Sequence, residues 1–263
     1  MDFKLVDESK AAVEPSSAGS PVSKSVLAMA LTQLLVVAVF VLPLLLSYWR
    51  SSDQLSLVAN LACLALVVVC LSAYCLARGA EDSLFDSLFP FILGAASLIG
   101  ACYWNMVAMV GGHTQLADQW GVFRQWIGLT ALLLVVLVVG IFGRQMLRIN
   151  RTHVIRGLSV DALSGVSCIG VAGWIFTPTL ASHSAHSFAG GVLGHTGRWV
   201  LLVVLVAAVL AVLLCVASWT WWLDLRRVSK SAVQPWLSMA LVPVMFSGLL
   251  VAVALCVVHV LPV

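Results

Sequence analysis

The chain has 263 residues, of which 62% are hydrophobic and only 10% charged. Soluble domains carry about 25% charged residues, so this composition excludes a water-soluble globular fold. The net charge of +3 is too small to point to nucleic acid as a partner.

Residues 1 to about 25 mix charges with Ser, Ala, Gly and Pro and read as a disordered tail. The first apolar run starts too late, is too long and has acidic residues ahead of it for a cleaved signal peptide. It is expected to act as an uncleaved signal-anchor. Seven runs without Asp, Glu, Lys or Arg then follow: Leu27 to Tyr48, Leu55 to Ala77, Leu88 to Gly111, Gln125 to Gly143, Ala162 to Ala181, Trp199 to Leu223 and Trp236 to Val258. A helix needs about 20 residues to cross the hydrocarbon of a bilayer. The runs are uniformly apolar, whereas a barrel strand alternates and is about half as long. The expected fold is all-α: a polytopic membrane helix bundle of about seven transmembrane helices over 26–263, preceded by the tail over 1–25.

Basic residues set the expected sidedness. With a cytoplasmic N-terminus, the inner side holds Lys4, Lys10, Lys24, Arg78, Arg144, Arg148, Arg151, Arg156, Arg226, Arg227 and Lys230. The outer side holds Arg50, Arg124 and Arg198, so the ratio is eleven to three. Loops rich in Lys and Arg stay inside, and an odd number of spans puts the C-terminus outside. Asn150-Arg151-Thr152 matches a glycosylation sequon, but it falls in a loop read as cytoplasmic. The basic segment Arg144 to Arg156 reads as a topology determinant touching anionic lipid. Trp49, Trp120, Trp126, Trp199, Trp219, Trp221, Trp222 and Trp236 fall at or near expected helix ends, where indoles suit headgroups. Trp104 and Trp174 fall within their spans.

Shifting the chain by 70 residues aligns Leu93 with Leu163, Ser97 with Ser167, Ile99 with Ile169, Gly100 with Gly170, Trp104 with Trp174 and His113 with His183. This suggests one leading helix followed by three repeated hairpins, as in many transporter folds. Spans 3, 5 and 7 are rich in Gly, Ala and Ser, which let helix backbones approach closely in lipid. They are expected inside the bundle, with the Leu/Val-rich spans 4 and 6 nearer lipid. Pro43, Pro178 and Pro243 lie within spans, where each frees a carbonyl.

The spans contain no carboxylate, lysine or arginine. Such groups mark proton relays, voltage sensors and counter-ions, so those functions are disfavoured, as is a retinal protein. Gln33, Asn60, Asn105, Thr130, Thr177, Thr179, Ser218 and Thr220 are the polar residues at depth and suit hydrogen bonds between helices. Glu81, Asp82, Asp86 and Asp161 read as carboxylates capping helix starts. All seven cysteines fall inside spans without a Cys-x-x-Cys pair, which suits small packing residues and offers no disulfide framework.

Histidine is distributed unevenly. Five of the six histidines, His113, His183, His186, His195 and His259, fall on the expected outer side. They are the candidate metal ligands, for zinc or copper; otherwise they read as interfacial or loop histidines. No other motif points to a cofactor or to catalysis. Three functions fit these features. The first is a non-catalytic subunit or scaffold of a membrane complex, with other membrane subunits or a second copy as partner beside the lipid bilayer. A passive channel or facilitator for a small solute, and a metal-handling protein built on the outer histidines, are the other two.

Overall fold

A computed structural model describes residues 21–49, 53–78, 84–110, 116–147, 154–177, 180, 195–225 and 235–260. The described chain is all-helical. Its α-helices are α1 (Pro21–Trp49), α2 (Asp53–Arg78), α3 (Leu84–Val110), α4 (Leu116–Leu147), α5 (Val154–Gly170), α6 (His195–Leu225) and α7 (Pro235–Val260), with a 3-10 segment (Val171–Phe176) continuing α5. The described part of each apolar run lies on one helix, except that the run from Ala162 passes from α5 into the 3-10 segment. Among the described residues, four stretches are long and apolar enough to cross a membrane: Trp120–Leu147, Leu158–Phe176, Leu202–Trp219 and Leu237–Val258. Shorter apolar stretches, Leu27–Val41, Leu61–Ala77 and Leu88–Trp104, lie on α1, α2 and α3.

Local chemistry explains several boundaries. α1 and α7 both begin at a proline, whose fixed φ and missing N–H suit the first helical position. α1 therefore starts ahead of the boundary expected near residue 26. α4 and α5 outrun their charge-free stretches, starting at Leu116 and Val154. Charged residues end an apolar run without ending a helix, because long side chains near the membrane boundary reach water or find a partner. Pro90 and Pro243 sit inside α3 and α7; the sequence reading named Pro243 and passed over Pro90. Pro43 falls within α1, and Pro178 is outside the described residues.

α5 with its 3-10 segment and α7 form the centre of the bundle. α7 packs on α1, α2, α5, α6 and the 3-10 segment, while α5 packs on α3, α4 and α7. Small residues make this possible. A Cβ placed on Gly173 would overlap the Gly248 carbonyl, and one on Gly248 would overlap the Gly170 carbonyl, so the two backbones touch directly. Such contact supplies the van der Waals packing that replaces hydrophobic drive in lipid.

The layering follows the small-residue pattern. The spanning stretches of α5 and α7 are each 61% buried, against 28% for α4 and 6% for α6. Spans 5 and 7 are thus inside and span 6 faces outward, as the texture of the sequence predicts. α3 is intermediate: Leu93, Gly94, Ser97, Leu98 and Ala101 are buried, and Ile92, Ile99 and Tyr103 are exposed. Outward hydroxyls are tied to their own helices, as where Ser72 Oγ donates to Val68 O at 2.7 Å. That keeps polar atoms satisfied where no water is at hand.

Candidate functional site

The outer histidines come first. His113, His183 and His186 lie outside the described residues. His195 is the first residue of α6, not part of the preceding loop, and His259 lies one residue before the end of α7. Among the described residues, no group of three His, Cys, Asp or Glu side chains is placed to hold a metal ion.

The polar chemistry of the described bundle falls into three clusters. The central one surrounds the 3-10 segment. The Trp174 indole stacks on Phe40 with ring centroids 4.5 Å apart, and its Nε1–H donates to Val244 O at 2.9 Å. Ser247 Oγ donates to the same carbonyl at 2.6 Å. Thr177 Oγ1 donates to Trp174 O at 2.7 Å and lies 3.7 Å from Cys63 Sγ on α2. Where α-helix tightens to 3-10, one carbonyl loses its usual N–H donor. At that junction Ser97 Oγ donates to Ile169 O at 3.0 Å and accepts the Trp126 indole N–H at 3.2 Å.

Trp126 thereby corrects the interfacial reading of its indole. It is 1% exposed and packs on Phe176 with centroids 5.0 Å apart. The position lies near the end of a charge-free run, but not near the end of α4, which begins at Leu116. The residues aligned by the 70-residue shift also have different surroundings. Trp174 is bonded and buried, whereas Trp104 is only half-buried and meets Tyr103 edge-on. Ser97 bonds across helices, whereas Ser167 Oγ donates to Leu163 O of its own helix.

A second cluster joins α1 to α6. Gln33 Nε2 donates to Ser218 Oγ at 2.8 Å, and the Trp219 indole N–H donates to Gln33 Oε1 at 3.0 Å. Ser218 Oγ in turn donates to Cys215 O at 2.7 Å. Gln33, Ser218 and Thr177 thus make the contacts between helices expected of polar residues at depth. Thr130 Oγ1 is buried without a partner. The side chains of Asn60, Asn105, Thr179 and Thr220 are outside the described residues.

The third cluster lies where α4 meets α5. Arg144 Nη1 donates to Asp161 Oδ2 at 3.4 Å, both side chains being 17% exposed. Asp161 was expected to cap the start of a span. Instead α5 begins at Val154, and the carboxylate is an interior helical residue paired across to α4. Ser164 Oγ donates to Asp161 O at 3.0 Å. Next to Arg144, Gln145 is 93% buried, its side-chain amide making no hydrogen bond through either Oε1 or Nε2. The sequence reading missed Gln145 because the charge of Arg144 closes the apolar run just before it. Helical spacing was the available signal, since Leu137, Ile141 and Gln145 share one face.

No family model, curated protein or solved structure matches this chain. The chemistry of these clusters therefore carries the functional reading. Among the described residues they contain no paired carboxylates in a shared cleft and no activated nucleophile. They hold helices together.

Proposed function

We propose that the chain crosses the membrane seven times, N-terminus cytoplasmic and C-terminus external, as a non-catalytic subunit or scaffold of a membrane protein complex. One observation carries this reading. Every residue from Ser167 to Thr177, at the centre of the bundle, is buried against neighbouring helices. The packing of the Trp174, Phe40 and Phe176 rings and the direct backbone contact at Gly173 favour a filled core over a solute path there. Buried hydroxyls and the Trp174 indole there bond to protein carbonyls, and the Trp126 indole to the Ser97 hydroxyl, which favours a rigid core over a lined pathway. The absence of formal charge from all seven apolar runs points the same way, because coupled transport uses such groups.

Purification of the full chain from its native membrane in mild detergent tests the proposal. A scaffold brings down partner subunits in fixed ratio, whereas the same chain reconstituted alone in liposomes leaves solute flux at the protein-free level. Flux through the isolated chain would overturn this reading in favour of a facilitator.

A further inference from the structure

The 3-10 segment at the centre of the bundle is the feature that local sequence leaves unexplained. It continues α5 for six residues, Val171–Phe176, all of them buried. Such helices are uncommon beyond about four residues, because their hydrogen bonds are poorly aligned. Nothing within the segment compels the tighter winding. Val-Ala-Gly-Trp-Ile-Phe holds no proline, so an α-helix could continue through it. The winding is therefore held from outside.

Two contacts hold it. The first is with α7. Tight winding eclipses residues three apart, which lines Gly170 and Gly173 against α7: the Gly170 carbonyl meets Gly248, and the Gly248 carbonyl meets Gly173. α-Helical winding turns Gly173 by about 60° from Gly170. A neighbour that carries a Cβ then enters a gap that admits none, so the α-helical register is open to the segment only if α7 withdraws. The second contact is Ser97 of α3. Its Oγ donates to Ile169 O at 3.0 Å, at the junction of the two windings, and accepts the Trp126 indole N–H of α4 at 3.2 Å. At the far end, the Thr177 backbone N–H and Oγ1 both donate to Trp174 O.

We propose that Val171–Phe176 is a two-register switch, 3-10 while α7 is close and α-helical when α7 withdraws, with Ser97 as the latch of the close register. The packed core described above is the close state. In the α-helical register the Gly173 N–H takes over Ile169 O, and Ser97 is released. Rewinding the segment shortens it by about 3 Å and turns it by about 20° per residue. Trp174 then leaves Val244 and Phe40, and Phe176 leaves Trp126. Because Ser97 also holds the Trp126 indole, a displacement of α4 reaches the contact between α5 and α7 through that hydroxyl. The switch operates whatever partners the chain has.

Fluorine NMR of the full chain in detergent, with 5-fluorotryptophan and 4-fluorophenylalanine incorporated, tests the switch. Trp174→Phe and Phe176→Leu identify the two resonances. Saturation transfer on the parent protein is expected to show one minor state shared by Trp174 and Phe176, with one population and one exchange rate. Ser97→Ala is expected to raise that population about threefold to fifteenfold, the worth of one hydrogen bond between membrane helices. A Ser97 that only supports packing would lower the melting temperature and leave the population unchanged, and that result overturns the proposal. A minor state at Trp174 alone is a flip of the indole and overturns it as well. Should Ser97→Ala fail to fold, the parent protein decides, and the absence of a shared minor state there overturns the switch.

Discussion

Trp174 Nε1–H donates to Val244 O at 2.9 Å, joining the 3-10 segment to α7 at the residue after Pro243. Val244 also accepts from Ser247, so this carbonyl collects two side-chain donors beside a helix position that has no N–H of its own. The bond crosses the centre of the bundle, where the backbones are closest.

Trp174→Phe keeps an aromatic ring to face Phe40 but removes the indole N–H together with part of the buried ring system. The expected loss is about 2 kcal/mol of stability, one hydrogen bond plus a small cavity, read as a lower thermal midpoint in detergent. Trp174→Ala opens a larger cavity and is expected to cost about 3–5 kcal/mol. Equal midpoints for the two variants would show that ring packing contributes little.

Glycines on the two faces of the bundle should behave oppositely. Gly173→Ala and Gly248→Ala each drive a methyl into the facing backbone, where no side chain can move aside. Expression of folded protein should drop sharply. Gly128→Ala meets open space and lies on a helix, so it should stabilise by up to about 1 kcal/mol through helix propensity. Size-exclusion profiles and thermal midpoints of the three variants separate these outcomes.

Gln33→Leu deprives Ser218 and the Trp219 indole of a partner in one change. Hydrogen bonds between membrane helices are worth about 0.6 kcal/mol on average and up to about 1.7 kcal/mol. A double-mutant cycle of Gln33→Leu with Ser218→Ala should give a coupling energy in that range. A coupling of zero would mean that α1 and α6 are held by apolar contact alone.

Metal content separates the subunit reading from the metal-handling one. Protein purified without a histidine tag should contain less than about 0.2 zinc or copper per chain, because a genuine site is close to stoichiometric. A value near one, lost on replacing His183 and His186, would favour metal handling.

Much of the bundle was legible in the sequence. Backbone polar groups in hydrocarbon must bond within their own segment, so long apolar runs specify helices one at a time, and the described part of every run from Leu27 onward is helical. The outward face of α6 and the enclosed positions of α5 and α7 could be read as well, because Leu and Val suit lipid while Gly, Ala and Ser suit contact between backbones. Tertiary structure alone decided the partners. Nothing local in the sequence says that Ser97 serves a carbonyl on α5, that Trp126 turns inward, that Asp161 pairs with Arg144 across to α4, or that Gln145 is enclosed without a bond. Each of these depends on which helix faces which and at what height, a relation set by packing between residues as many as 72 positions apart, as for Ser97 and Ile169.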